Sequence, residues 1–188
     1  MIPAALAVRV INRFRKDAIV VAASTALREW SAQSRRRELD VDMLDCPDKA
    51  VSLGLGLALA RPDRKVLVLE TDGTLRTNTS GLVTVGAVAP ANLVHFLFED
   101  AGFLSTEGTP ISGVDGLDFA ALTKSAGYPR VYRFEGLEEL VISLEEVLAV
   151  EGPVFVSLKV MHDAPLPVYP QRGMKDSLRD VTAALADR

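Results

Sequence analysis

Short, uninterrupted apolar runs, each followed by a stretch of helical character, constrain this chain more than any other feature. Ala18-Ile-Val-Val-Ala-Ala23 contains no polar residue, and Lys65-Val-Leu-Val-Leu-Glu70 and Leu93-Val-His-Phe-Leu-Phe98 are nearly as apolar. A strand with one wet face alternates apolar and polar residues, whereas a continuous apolar run belongs to a strand covered on both faces. Further strands are predicted over Asp40–Leu44, Val131–Phe134 and Pro153–Val160. Helices are predicted between them, over Leu27–Ser34, Pro47–Ala60, Ser80–Ala89, Asp118–Ala126 and Leu137–Val150. Pro47 suits a first helical turn with Asp45 or Cys46 as cap, Pro90 stops one helix, and Gly127 closes another. Ahead of the first strand, Leu6, Ala7, Val10, Ile11 and Phe14 fall on one helical stripe.

Repeated strand–helix order implies a three-layer α/β sandwich: a parallel sheet of about six strands with helices on both faces. Residues 161–188 read as a tail carrying Pro165, Pro167 and Pro170, then a terminal helix over Lys175–Ala186. With no repeat and no low-complexity linker, residues 1–188 are expected to form a single domain. A formal net charge of -4 argues against a general nucleic-acid binder. The one cysteine, Cys46, excludes an intrachain disulfide and a multi-cysteine zinc site. The apolar start, Met1–Val8, is too short for a membrane span and lacks the basic flank of a signal peptide. A cytoplasmic chain with no membrane partner is expected.

In an open parallel sheet, ligands sit beyond the carboxyl ends of the strands. Four such ends carry polar residues: Ser24-Thr25, Asp45-Cys46-Pro47-Asp48, Thr71-Asp72-Gly73-Thr74 and Glu99-Asp100-Ala101-Gly102-Phe103. Acidic loops on neighbouring strand ends supply the oxygens that a hard cation such as magnesium needs. The alternative is that Asp72 caps a turn and Asp100 is merely solvated.

The stretch from Ala50 to Pro110 resembles the pyrophosphate-binding domain of thiamin-diphosphate-dependent enzymes. Their hallmark is a strand ending in Gly-Asp-Gly, then some two dozen residues, then Asn. It is matched here by Thr71-Asp72-Gly73 and, after 26 residues, Asp100. Leu53–Ala60, Arg61–Lys65, Ala89–Leu93 and Ser105–Pro110 resemble the flanking segments. Length and tail are most similar to the small (beta) subunits of sulfopyruvate decarboxylase and the C-terminal domain of phosphonopyruvate decarboxylase.

The resemblance implies a pyrophosphate-binding subunit of a 2-oxo acid decarboxylase, with thiamin diphosphate and Mg2+ as cofactors. Asp72, Asp100 and the Gly102 carbonyl would ligate magnesium. Gly73 and Thr74 would offer backbone N–H groups to phosphate, and Thr71 would end the strand beside them. Phe103 would lie near the cofactor, and Asp45-Cys46-Pro47 would occupy the loop that supports the pyrimidine. Three positions depart from the pattern: Asp100 replaces Asn, Thr71 replaces the first Gly, and Asp45–Asp48 replaces a Gly-Ser-Met-Gly-like loop. The activating Glu of the family lies in a separate pyrimidine-binding domain, for which 188 residues leave no room. A partner subunit carrying that Glu is therefore expected, in a dimer of heterodimers, and no catalytic residue is assigned to this chain.

Other readings stay open. The departures suit a degenerate relative acting as a structural or regulatory partner. Glu70-Thr-Asp72-Gly-Thr-Leu75 nearly matches the first motif of haloacid-dehalogenase-like phosphatases, with Glu70 at the nucleophile position. Gly54-Leu-Gly56 begins like a dinucleotide fingerprint, but close helix packing explains it better. His95 is expected in the core and His162 in solvent. Cys46 is weighed as a thiol at a helix start, opposed by Asp45 and Asp48. Arg35-Arg36-Arg37 reads as a wet loop rather than a phosphate site.

Overall fold

The continuous apolar runs become a single parallel sheet in a computed structural model that describes residues 1–100, 116–163 and 165–186. The strands are β1 Ile2–Pro3, β2 Ile19–Ala23, β3 Asp40–Met43, β4 Val66–Thr71, β5 Leu93–Glu99, β6 Arg130–Phe134 and β7 Val154–Met161. Their spatial order is β3-β2-β4-β5-β7. β6 and β1 share the far side of β7, pairing with Val154–Leu158 and with Val160–Met161 respectively. All six sequence-predicted strands form. The seventh, β1, has only two residues, too few to carry a periodic signal.

The helices are α1 Ala4–Phe14, α2 Ser24–Gln33, α3 Ala50–Ala60, α4 Asp72–Thr77, α5 Ser80–Val88, α6 Phe119–Ser125, α7 Leu137–Ala149 and α8 Met174–Ala186. Alternate residues of β2, β4, β5 and β7 feed two separate cores. Leu67 and Leu69 of β4 pack with Ile11, Leu27, Trp30 and Leu144 on one face. Val66 and Val68 pack with Val51, Leu82, Phe119 and Val181 on the other. Every residue of β2 is buried, which is why its sequence shows no alternation.

Several boundaries move. α2 starts at Ser24, straight after β2, with Ser24 in the left-handed region at φ 54°. Pro47–Lys49 forms a single 3-10 turn ahead of α3, and neither Asp45 nor Cys46 caps it through a side chain. In α1 the inward residues are Ala4, Ala7, Val8 and Ile11, so Val8 takes the place expected for Leu6. Gly54 proves to be a packing glycine, since a Cβ there would lie 2.3 Å from Val68 Cγ2. Gly127, at φ 103°, ends α6 as expected.

The tail wraps the β3 edge. Arg172 donates to the Arg37 and Asp40 carbonyls at 2.8 Å each, and Ser177 Oγ of α8 accepts from the Asp42 N–H at 3.0 Å. Asp40 and Asp42 are wholly buried there. Asp40 meets Arg15 at 2.6 Å and Arg37 at 3.3 Å, while Asp42 meets Arg172 at 3.1 Å and also pairs with Arg37. Among the described residues, no helix is long and apolar enough to cross a membrane.

Candidate functional site

Two neighbouring strands deliver acids to one point. β4 and β5 run parallel with Thr71 opposite Phe98, so Asp72 and Asp100 leave the same edge of the sheet. Asp72 is 2% and Asp100 8% exposed, and the two carboxyl groups are hydrogen-bonded to each other. Buried carboxylates in contact cannot both ionise without cost. Burial, the hydrogen bond to Asp100 and its charge together push Asp72 up to about 7. The Gly73 N–H, 2.9 Å from Asp72 Oδ1, and the charge of Arg76 pull the other way. Near neutral pH, the pair therefore holds a proton that a cation can displace. Two buried hard-oxygen donors with a replaceable proton fit a divalent cation such as magnesium.

The expected third ligand, the Gly102 carbonyl, lies outside the described residues, as do Phe103 and the Ser105–Pro110 segment. Among the described residues, no group of three or more His, Cys, Asp or Glu side chains converges as a metal site.

The turn that aims Asp72 is held locally. Thr74 Oγ1 accepts from the Thr71 N–H at 3.0 Å and donates to the Thr71 carbonyl at 2.8 Å. Thr71 is thus the cap residue of α4, a helix that forms where the sequence predicts only a strand-end loop. The Gly73 N–H is bonded to Asp72 rather than directed outward.

Three residues outside the expected ligand set complete the cluster. His162 follows β7 directly and is buried rather than solvated, its side chain 6% exposed. Its Nδ1 lies 3.3 Å from Glu29 Oε1 and its Nε2 3.3 Å from Asp100 Oδ2. Burial alone would lower its pKa, but bonding to Asp100 and Glu29 outweighs burial and raises it to about 9. An imidazolium therefore sits against Asp100, where the family pattern has a neutral amide. Thr25 Oγ1 donates to Asp100 Oδ2 at 3.3 Å. The rule that points to strand ends also covers His162, at the end of the last strand. Glu29 gave a weaker signal, as an acid between Leu27 and Trp30 on a buried helix face.

A cleft of about 690 Å³ opens beside the acids, bounded by Ser24, Pro47, Asp48, Gly73, Thr74 and Tyr169. It collects Pro47, Gly73 and Thr74 from the expected set. Asp45 is exposed, and Cys46 turns away to put Sγ 3.5 Å from Met174 Sδ. Asp48 is tied down, with its carbonyl accepting from Asn78 Nδ2 at 2.7 Å and its carboxylate 2.5 Å from Lys49. Arg28 clamps the tail, donating to the carbonyls of Pro167 and Leu166, and its guanidinium lies 5.0 Å over the Tyr169 ring.

Glu70 points into the core, 1% exposed, with Oε1 2.6 Å from His95 Nε2. A nucleophile there could not reach a phosphate ester, so the phosphatase reading fails. His95 is a core residue, edge-on to Phe155 at 5.1 Å. Arg37 and Arg36 are engaged by Asp40, Asp42 and Glu38.

Residues 19–158 match the family described as thiamine pyrophosphate enzyme, C-terminal TPP binding domain. The chain is 37% identical over 127 residues to sulfopyruvate decarboxylase subunit beta of Methanothermobacter thermautotrophicus, covering 67% of this chain and 65% of that one. It is 31% identical over 152 residues to phosphonopyruvate decarboxylase of Streptomyces viridochromogenes, covering 81% of this chain and 38% of that one. The aligned part thus spans less than two-thirds of either relative. A solved structure of a protein proposed to be a thiamin diphosphate-dependent enzyme, from Mycobacterium smegmatis, superposes with a TM-score of 0.68 at 18% identity. That superposition covers 85% of this chain and 32% of the other.

Proposed function

This chain belongs to the thiamine pyrophosphate enzymes, as their C-terminal TPP-binding domain, and from that premise we propose that it is the pyrophosphate-binding subunit of a two-subunit, magnesium-dependent 2-oxo acid decarboxylase. The observation carrying the proposal is the buried, proton-sharing pair Asp72/Asp100 at the ends of β4 and β5. Thiamin diphosphate, when bound, supplies the electron sink for loss of carbon dioxide from a 2-oxo acid. This chain's residues do the holding. Asp72 and Asp100 would grip Mg2+, with the Gly102 carbonyl as a further ligand. Thr71 and Thr74 keep Asp72 aimed at the cation, and Gly73, Thr74 and Pro47 wall the cleft. His162 and Thr25 hold the Asp100 carboxylate in place.

The substrate class is a 2-oxo acid with a charged sulfonate or phosphonate tail, supported by the names of the relatives. The designation "subunit beta" of one relative supports a partner chain. That partner would supply the pyrimidine-binding domain and the activating Glu, in a dimer of heterodimers. Calorimetric titration of magnesium and thiamin diphosphate into the assembled complex tests this reading. Saturable uptake that disappears in Asp72→Asn is expected; a folded complex that takes up neither overturns it.

A second reading, a partner subunit that keeps the fold without the chemistry, is favoured by one observation. The loop expected to support the pyrimidine sends Cys46 into Met174 and Asp45 into solvent, leaving Pro47 as its apolar presence in the cleft. Turnover by the wild-type complex would eliminate this reading.

A further inference from the structure

The amino ends of β2 and β3, at the opposite edge of the sheet from Asp72, carry a second cleft of about 930 Å³. It gathers two arginine-rich motifs far apart in sequence: Arg9, Arg13, Arg15 and Lys16 from the end of α1, and Arg35 and Arg36 from the end of α2. No carboxylate lines it, in a chain whose net charge is -4. Arg15 is neutralised by Asp40 and Arg36 by Glu38. The neighbouring Asp17 is engaged by Arg64 at 3.3 Å. Arg9, Arg13, Lys16 and Arg35 are exposed, and none of the ion pairs among the described residues includes them.

Two helix C-termini, α1 and α2, approach the same cleft and offer partial negative charge. Each helix end is worth about half an elementary charge. Together they offset roughly one of these four cations, of which Arg13 lies 5.6 Å over the Phe14 ring, leaving an excess of about three. The framework around this excess is fixed: Asn12 Nδ2 donates to the Gln33 carbonyl at 2.9 Å, and Gln33 Nε2 donates to the Ala5 carbonyl at 3.0 Å, locking α1 to α2. Like charges held together on a rigid frame repel one another until an anion neutralises them. Guanidinium groups suit phosphate oxygens in particular, because their paired N–H donors match that geometry. The volume lies within the roughly 300–1,000 Å³ typical of small-molecule sites.

We propose that this cleft is an anion site for a phosphate chain carrying about three negative charges, as in a nucleoside triphosphate or inorganic pyrophosphate. Calorimetric titrations of ATP, inorganic pyrophosphate and AMP into the full chain, in EDTA at low salt, test it. Withholding magnesium keeps the Asp72/Asp100 site out of the measurement. One equivalent of ATP or pyrophosphate should bind, AMP should bind more weakly, and added salt should weaken all three. ATP binding without pyrophosphate binding identifies a nucleotide; equal binding identifies the phosphate chain itself. The double variant Arg13→Glu/Arg35→Glu should weaken binding about tenfold or more. Arg13→Gln/Arg35→Gln, with unchanged Tm, guards against a folding defect and should give a smaller loss. Asp72→Asn should leave this binding intact. The proposal is overturned if neither ATP nor pyrophosphate binds, if binding survives charge reversal, or if Asp72→Asn abolishes it.

Discussion

Two pairs of buried aspartates stand on this sheet, and they are treated oppositely. Asp40 and Asp42, on the edge strand β3, face Arg15, Arg37 and Arg172, three guanidinium groups for two carboxylates. Ser34 Oγ adds a bond to Asp40 at 2.5 Å. Asp72 and Asp100, at the ends of β4 and β5, face each other, and Asp100 shares one imidazolium with Glu29. Burying a charge is tolerable when it is paired and hydrogen-bonded, and costly when it is not. The first pair is therefore a fastener, tying α1, the tail and α8 to the sheet edge. The second sets acid against acid, and that arrangement is what the proposed cation site rests on.

The contrast is broken most severely by deleting one member of the fastener. Asp40→Ala leaves Arg15, itself 4% exposed, without its partner. Removing one partner of a buried pair costs about 3–5 kcal/mol, a fall of roughly 10 °C in Tm for a chain of this length. Unchanged thermal melting would show that the fastener carries no stability.

Asp72→Asn should do the reverse. An amide beside Asp100 needs no shared proton, so the metal-free protein should melt at the same temperature or higher. Affinity for magnesium with thiamin diphosphate should fall about 100-fold or more, since even partners behind a metal ligand are worth 10–100-fold. A large drop in metal-free Tm with unaltered binding would make Asp72 another fastener.

The pH dependence sharpens the same distinction. Asp72 holds its proton more tightly folded than unfolded. Its contribution to stability is complete below the ordinary value of 3.8 and disappears as pH rises through about 7. His162 has the same sign one window higher, complete below 6.5 and lost through about 9. Metal-free protein in EDTA should therefore melt progressively lower from about pH 4 to about pH 9, and magnesium should restore more stability at pH 8 than at pH 5. Asp72→Asn should flatten the lower half of that curve. A wild-type profile already flat between pH 4 and 7 would contradict the shared proton.

How much of this was legible in the sequence follows from which forces act locally. β2, β4 and β5 were readable because double-sided burial leaves a nearly uninterrupted apolar run, as in Ala18–Ala23, and β3 because its residues alternate polar and apolar. Asp72 and Asp100 were readable because carboxyl ends of parallel strands face one edge. The partners of these acids were not. His162 lies 62 positions from Asp100, and only the pairing of β5 with β7 brings the two together. The fastener was equally hidden: Arg172 looked like part of a tail, and Arg37 like part of a wet loop. α4 escaped because a six-residue helix begins inside a recognisable motif, with no apolar period of its own.

The smallest effect expected is that of Asp100→Asn. Two like charges about 4 Å apart repel by about 4 kcal/mol at an effective dielectric near 20, so a second acid beside a polyanionic cofactor looks prohibitive in isolation. His162, 3.3 Å from Asp100 Oδ2 and charged at neutral pH, supplies an attraction of comparable size and opposite sign. The two terms nearly cancel, and the amide should bind magnesium with thiamin diphosphate within about tenfold of the wild type. What should change is proton release. Burial still raises Asp72 in that variant, but with the bond and charge of the neighbouring acid gone it is raised less, and magnesium binding at pH 6 should expel fewer protons, read from calorimetric heats in buffers of different ionisation enthalpy. If His162→Gln weakens binding strongly in the wild type but not in the Asp100→Asn background, the imidazolium is there to offset the aspartate. Equal losses in both backgrounds would assign His162 to packing and return the two acid pairs to the same class.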